Sequence, residues 1–299
     1  MHITLSLLIA ASSLVAQTTP TKTTTQKVVA AQKTSPTTRT TKTKAPAKKS
    51  LLQKLAVNTA PTQMTKPKGL PLPPHNSLLR NILTSQMTRI CIRTDVPPFG
   101  YFKGVTLSGF EIALAKELVT SISIRYNRKL KIQWIVIRAP ERISSLQKGR
   151  CDFTLAAFSK TATRAQKITF SDVYFQTNKV LIGRAQASES PIVALVRRTT
   201  PGKINFKNAM FSYFMSYSDI LYTMQQSLVD YVITDHPMGL YLVRQSKSGY
   251  KIQKTLEGSE QYAVGLAKGS THLLKEVNIA LSQLRKSGRL AYLKRTLIQ

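Results

Sequence analysis

Acidic residues are scarce in this 299-residue sequence: 13 Asp and Glu stand against 44 Lys and Arg, which gives a formal net charge of +31. A field of this sign attracts anionic surfaces such as nucleic acid, anionic lipid or cell-wall polymer. No nucleic-acid recognition motif accompanies the charge, so no specific nucleic-acid partner is predicted. The length allows one or two domains.

Cysteine and histidine are also rare, with two Cys and four His in the chain. Neither Cys91 nor Cys151 has another Cys or a His at metal-ligand spacing, so we predict no metal site and no cofactor. Both cysteines fall in predicted strands, where they either pair as a disulfide, if the protein is exported, or remain buried thiols. The sequence also lacks a phosphate loop and a nucleophile elbow, so no catalytic residue is assigned.

Long apolar runs are missing as well. Residues 1–16, MHITLSLLIAASSLVA, have an apolar centre followed by small residues. This pattern is typical of a secretion signal and is too short to span a bilayer. We predict cleavage after Ala16 and a periplasmic or other extracytoplasmic location; the alternative is a disordered apolar N-terminus.

Residues 17–85 are rich in Thr, Lys, Ala, Pro and Gln and contain 12 basic residues and no acidic one. The segment has too few large apolar side chains to offset the entropy lost on folding. We therefore predict a disordered basic tether. Our hypothesis is that this tether adheres non-specifically to anionic polymers of the cell envelope. Folded sequence is expected to begin near Leu79.

Alternating strand and helix patterns follow the tether. Strands are predicted at residues 88–95 and 131–138, and a helix follows Gly109 with Phe110, Leu114 and Leu118 on one apolar stripe. Short connections between such elements predict a parallel sheet, in which ligands bind beyond the carboxyl ends of the strands. Asp95 lies at one such end, and residues 157–159 lie at another. A second α/β unit is predicted after residue 175, including a strand that ends at Asp235.

The stretch from Cys151 to Phe175, CDFTLAAFSKTATRAQKITFSDVYF, joins an apolar strand to a hydroxyl-rich loop and then to Arg164. Hydroxyl groups and a guanidinium can together hold a carboxylate, because both donate hydrogen bonds and arginine offers a bidentate fork. The alternative is an exposed arginine at a helix start.

Several motifs in this order resemble the family 3 extracytoplasmic solute-binding proteins of polar amino-acid ABC importers. They are TDVPPFGY, GFEIALAKEL, ISSLQKGRCDFTLAAFSKTATRAQKITFSDVYF, VALVRRTT, VDYVITDHP and QYAVGLAKGS. The resemblance runs from about Arg89 to the C-terminus. It implies an α/β, two-lobed periplasmic-binding-protein-like (type II) fold with lobe 1 at 86–177 plus 266–299, lobe 2 at 185–258 and hinge strands at 178–184 and 259–265.

The resemblance also implies ligand contacts. Arg164 would bind the α-carboxylate of an amino acid, assisted by Ser159 and by the lobe 2 loop around Thr199. The carbonyl of Ala157 and the carboxylate of Asp235 would accept hydrogen bonds from the α-ammonium. Asp95 matches a position that often contacts the ligand side chain. Phe99, Tyr101 or Phe158 could supply an apolar wall in place of the aromatic residues that many family members use.

Four features depart from the family pattern. The first loop, DVPPF, is shorter than in many members and lacks their stacking aromatic residue before the Pro-Phe pair. Ala139 stands where many members place an aromatic residue, Arg198 replaces a glycine, and lobe 2 is shortened between Gly202 and Ser216. Asp95 suggests a cationic or amide side chain on the ligand, whereas Arg198 would argue for an acidic one. We expect a basic or polar amino acid.

The resemblance implies a non-enzymatic protein that hands its ligand to an ABC permease in the membrane. One alternative is an envelope interaction or sensory protein with a degenerate pocket, consistent with the basic tether. Another is a periplasmic dehydratase acting on prephenate-like acids, with Glu257 and Glu260 as candidate acids.

Overall fold

The computed structural model describes residues 69–185, 188–202, 204–206 and 208–298. The predictions for the secretion signal and for the tether up to residue 68 lie outside these ranges. The helices are α1 (Leu78–Ser85), α2 (Phe110–Tyr126), α3 (Arg142–Gln147), α4 (Ala162–Ala165), α5 (Tyr217–Gln225), α6 (His236–Ser246), α7 (Thr271–Lys286) and α8 (Arg289–Leu297). Among the described residues no helix is both long and apolar enough to cross a membrane.

The first sheet has the strand order β5-β1-β6-β13-β7. Its strands are β1 (Met87–Ile92), β5 (Lys131–Val136), β6 (Phe153–Leu155), β7 (Thr169–Thr177) and β13 (Glu260–Leu266). β1 runs parallel to β5 and β6, but β13 runs antiparallel to both β6 and β7. The predicted parallel arrangement of the first three strands, β1, β5 and β6, is confirmed, whereas the antiparallel direction of β13 was not predicted. β13 is inserted between β6 and β7 on its return from the second sheet, which sets its direction.

The second sheet has the order β10-β9-β11-β8-β12. Its strands are β8 (Lys179–Gly183), β9 (Ile192–Val196), β10 (Met210–Phe214), β11 (Tyr231–Asp235) and β12 (Lys251–Thr255). β9, β10 and β11 are parallel, and β8 runs antiparallel to both of its neighbours, β11 and β12, so β8 alone has the opposite direction in this sheet. Helix α5 buries Ile220 and Met224 in the core of this lobe.

Two crossings join the sheets, which form the two lobes of an α/β fold. β7 leads directly into β8, and β12 leads into β13 through a short turn. The crossings are bonded to each other, because the Asn178 side chain donates to the Gly258 carbonyl at 2.9 Å and the Leu256 amide donates to the Lys179 carbonyl at 2.8 Å. The two crossings are thus hydrogen-bonded neighbours.

Helix α1 belongs to the folded body, although residues 78–85 were assigned to the tether. Ser77 caps its first turn by accepting from the Arg80 amide. Leu79, Ile82 and Leu83 are spaced along one face and are almost completely buried against the first lobe. The expectation that folded sequence begins near Leu79 agrees with this helix.

Cys91 and Cys151 form a disulfide, with their Cα atoms 5.6 Å apart. Cys91 lies in β1, and Cys151 precedes the neighbouring strand β6, so the sheet itself brings the two thiols together. Of the two alternatives left by the sequence, the structure shows the disulfide.

Three features were not predicted. A small antiparallel sheet joins β2 (Asp95–Val96), β3 (Gly100–Lys103) and β4 (Thr106–Ser108). Helix α6 starts at His236 with Pro237 in its first turn, where proline loses no helical hydrogen bond. The described residues between β9 and β10 contain no helix.

A cationic cavity between the two lobes

A cavity of about 570 Å³ opens between the lobes. We call it the cleft cavity. Lobe 1 contributes the start of α3, Phe158 and the turn of α4, and lobe 2 contributes the loop of residues 198–201. Its charged lining residues are Arg142, Arg164, Lys167 and Arg198.

Arg164 reaches this cavity from the short helix α4, whose first turn is capped by Thr161. Its guanidinium donates to the Ser159 carbonyl at 2.8 Å and, across the lobes, to the Arg198 carbonyl at 3.0 Å. Burial lowers the pKa of Arg164, and the carboxylates of Glu260 and Asp235 oppose that shift. Arg164 is therefore a half-buried cation that bridges the lobes.

Arg142 is a second guanidinium that the sequence reasoning missed. Only 2% of its surface is exposed. It donates to the carbonyls of Ala139, Ala156 and Ala157 at 2.9, 3.2 and 2.8 Å, and to the Arg198 carbonyl at 3.0 Å. Burial, with smaller contributions from the nearby cations Arg164 and Arg93, lowers its pKa to about 9. Its acceptors are all neutral carbonyl groups.

The ring of Phe158 lies beneath both guanidiniums. The Arg142 and Arg164 carbon Cζ atoms are 4.6 and 5.2 Å from its centroid. Cations are attracted to an aromatic face at such distances. Phe158 therefore positions the two arginines as well as lining the cavity.

Asp235 is buried at the end of β11. The Lys179 ammonium donates to its Oδ1 at 2.8 Å, and the Tyr262 hydroxyl donates to its Oδ2. Glu260 lies 3.8 Å from the same ammonium. Burial alone would lower the pKa of Lys179, but Asp235, with smaller help from Tyr217 and Glu260, raises it above the usual value.

Asp95 forms a bidentate ion pair with the buried Arg93, at 2.9 and 2.7 Å. Its Oδ2 also accepts from the backbone amide of Tyr217 at the start of α5, at 3.1 Å. Asp95 thus connects lobe 1 to the positive end of a lobe 2 helix.

Ala157 has a φ of +45°, in the left-handed region. This conformation directs its carbonyl to Arg142 and its amide to the buried carboxylate of Glu111, at 2.8 Å. Glu111 also accepts from the Tyr174 hydroxyl. Burial raises the pKa of Glu111 to about 7, although hydrogen bonds from Tyr174 and Ala157 act in the other direction.

Comparison with known proteins identifies this architecture. Residues 88–298 match the bacterial extracellular solute-binding proteins, family 3. The chain belongs to this family. Its described fold has the mixed α/β lobes of other family 3 proteins, and its cleft cavity lies between them.

Two relatives of known name illustrate the range of the family. The ABC transporter glutamine-binding protein GlnH of Bacillus subtilis (strain 168) is 26% identical over 211 residues, 66% of this chain and 76% of that protein. The glutamate-binding protein GluB of Corynebacterium efficiens is 20% identical over 201 residues, 61% and 68% of the two chains. Among solved structures, an ancestral arginine-binding protein bound to arginine shares the fold, with a TM-score of 0.64 and 23% identity over 72% of this chain and 99% of its own.

The predicted family 3 ligand residues fall into two groups in the structure. Arg164, Phe158 and Thr199 line the cleft cavity. Ala157 and Asp235 make the interactions described above, and Asp95 lines a separate pocket with Tyr217. Phe99 lies in an aromatic cluster with Phe175 and Tyr262 at centroid distances of 5.0 and 5.3 Å. Ser159 links the groups, because its carbonyl accepts from Arg164 and it forms a bridge with Tyr262.

The two candidate acids of the dehydratase alternative, Glu257 and Glu260, differ in exposure and in contacts. Glu257 is exposed, and Glu260 faces Lys179. Solute binding is the established role of the family to which the chain belongs.

Proposed function

We propose that this protein captures an amino acid in the cleft between its lobes and delivers it to an ABC permease. The observation that carries the proposal is the position of Arg164, a lobe 1 guanidinium that reaches into the cavity and bonds to lobe 2. An α-carboxylate would accept from Arg164, while Asp235 and Glu260 supply negative charge for the ammonium. The named relatives bind glutamine and glutamate, which share this zwitterionic group.

Closure of the lobes would follow from contacts that the ligand makes to both of them. The Arg198–Thr200 loop and the start of α5 are the lobe 2 surfaces that face lobe 1. A ligand held by these surfaces and by Arg164 favours the closed arrangement by its additional contacts.

Replacement of Arg164 tests the proposal directly. A hydrogen bond to a charged group contributes about 1.5–3 kcal/mol. Arg164→Ala should therefore weaken binding at least about tenfold for every amino acid that the wild-type protein binds. The measurement is titration calorimetry after a thermal-shift screen of the twenty amino acids. Lys148→Ala, which removes an exposed cation of the same lobe, should bind like wild type; equal binding by Arg164→Ala would refute the role of Arg164.

Export and adhesion complete the proposal. The predicted secretion signal would place the protein outside the cytoplasm, as the family name implies. The basic tether would then hold it near anionic envelope polymers, close to the permease.

A further inference from the structure

The cleft cavity carries positive charge without a balancing acid. Its charged lining residues are three arginines and a lysine, and within the described part of the chain no Asp or Glu lines it. Arg198 and Lys167 are exposed and screened by solvent, but Arg142 is buried and Arg164 half-buried. The last two determine which ligand charge is favoured.

The two inner guanidiniums converge on one atom. Arg142 and Arg164 each donate to the Arg198 carbonyl oxygen at 3.0 Å, so their donor nitrogens lie within about 6 Å of each other. A carbonyl satisfies hydrogen bonds but does not neutralise two charges, and uncompensated buried charge is costly. Carboxylates bind well to guanidinium groups, so these two arginines are suited to an anionic ligand with carboxylate groups.

A hydroxyl adds a further donor. Thr200 lines the same cavity, and its Oγ1 is buried without a hydrogen-bond partner among the described residues. An unpaired buried hydroxyl is unfavourable, and an anionic acceptor in the cavity would satisfy it.

The cluster of charged residues on the far side of Arg164 has a net negative charge. Asp235 and Glu260 share the single ammonium of Lys179, which leaves one negative charge. The bridge between Ser159 and Tyr262, and the bond from Tyr262 to Asp235, place this cluster next to Arg164.

The remaining charges of the cleft are internally compensated. Arg93 and Asp95 neutralise each other. Glu111 is buried behind Ala157 and is bonded to Tyr174 and the Ala157 amide, and its protonation near neutral pH limits its charge. The cleft therefore offers two guanidiniums that bond to no carboxylate among the described residues, with one net negative charge on the far side of Arg164.

We propose that the ligand is an acidic amino acid, with two carboxylates for Arg142 and Arg164 and one ammonium for the Asp235–Glu260 cluster. This inference rests on the proposed function and narrows its ligand class. It replaces the expectation of a basic or polar ligand, because Asp95, the residue that suggested a cation, is fully engaged by Arg93. In this arrangement Arg164 takes the α-carboxylate, and Arg142 with Thr200 takes the side-chain carboxylate.

Titration calorimetry of the full-length wild-type chain tests the ligand class with four probes: L-glutamate, L-aspartate, L-glutamine and L-arginine. L-Glutamate and L-glutamine have nearly the same shape and differ in one charge. We expect an acidic probe to bind at least about tenfold tighter than glutamine and than arginine, since a charged hydrogen bond in a buried site has about this worth.

Three variants at two positions test the roles of Arg142 and Thr200. Arg142→Met should weaken binding of the acidic probe at least tenfold while changing glutamine binding less than threefold, and Arg142→Lys should retain part of the preference. Thr200→Val, a nearly isosteric change, should reduce the same preference without disturbing the buried arginine. Arg150→Met removes an exposed arginine just beyond α3 and should leave the preference unchanged.

The outcomes separate the two proposals. If glutamine or arginine binds tightly and the acidic probes bind no more tightly, the proposal of an acidic ligand is overturned. The proposal that the protein binds an amino acid is then retained. Failure of all twenty amino acids to bind overturns both. If Arg142→Met unfolds, the wild-type ranking and Thr200→Val still decide, because neither depends on that variant.

Discussion

A buried guanidinium such as Arg142 shows how much of a binding site is set by single residues. Nothing in the sequence around it, PERISSLQ, distinguishes it from a solvated arginine on a short helix. Its burial depends on the Phe158 ring, on the carbonyls of Ala156 and Ala157 just beyond β6, and on the Arg198 carbonyl of the other lobe. Such tertiary contacts leave no local pattern.

Glu111 gives a pH dependence at the same scale. Its pKa is about 7 when folded and about 4.5 when unfolded, because burial favours the protonated form. Between these values the folded state binds more protons than the unfolded state, so the free energy of unfolding should fall as pH rises from about 4.5 to 7 and then level off.

Urea unfolding of wild type and Glu111→Gln between pH 5 and pH 8 checks this. The contribution is on the order of 3 kcal/mol, and Glu111→Gln, which cannot ionise, should lack this slope. The same slope in both proteins would assign the effect to another group.

Residue predictions differed in how far sequence alone could support them. Arg164 was identified because it follows a strand and a hydroxyl loop, both local features, and it lines the cavity. Its role as a ligand remains a prediction. Lys179 went unnoticed, although a lysine that begins a fully buried apolar strand was a usable signal. Its partners, Asp235 and Tyr262, come from two other strands and could not be read from the pattern.

At the scale of elements, periodicity located helix α2, which begins after Gly109 as predicted, but it missed the 11-residue helix α6. The parallel pairing of β1, β5 and β6 was predicted, but the antiparallel direction of β13, which crosses between the lobes before pairing, was not. Periodicity also missed two-to-four-residue strands such as β2, which are too short to show alternation.

Helix α1 predicts where the folded body begins. Leu79 is 1% exposed and packs against the first lobe, so Leu79→Ala should lower the free energy of unfolding by about 2–5 kcal/mol. Leu72→Ala, at a more exposed position in the same segment, serves as the matched control and should change it little. Urea unfolding measures both, and equal stability of the two variants would place α1 outside the folded body.

The disulfide predicts a second effect on elements. It joins β1 to the entry of β6 across 60 residues, and a loop of this size typically stabilises by about 2–5 kcal/mol. Protein reduced in denaturant and refolded with reductant should be less stable by this amount. A Cys91→Ala/Cys151→Ala variant should not respond to reductant; an equal response would show that the reductant acts elsewhere.

At the scale of the whole molecule, charge is the dominant property. The segment after Ser85 contains 32 basic and 13 acidic residues. Residues 17–68 contain a further 11 basic residues and no acidic one. Both parts therefore favour anionic surfaces, but the segment before residue 69 has no opposing charge of its own.

This asymmetry predicts how the chain associates with anionic vesicles. The full chain should bind them in about 0.05 M salt and dissociate in about 0.5 M, because salt screens the attraction. A chain starting at residue 69 should bind at least tenfold more weakly, as should a full chain with its Lys and Arg between 17 and 68 changed to Gln. Co-sedimentation measures this; unchanged binding by both variants would assign the attraction to the folded body.

The bond from two arginines to the Arg198 carbonyl has a consequence for the rate of ligand uptake. This carbonyl is an internal competitor whose effective concentration does not fall on dilution. A ligand carboxylate can accept from Arg142 and Arg164 only in molecules whose Arg198 carbonyl no longer accepts from them. The apparent dissociation constant therefore equals the intrinsic one divided by the fraction of molecules in that released state. The observed association rate should accordingly level off at high ligand concentration, at the rate at which residues 198–200 move away from Arg142 and Arg164.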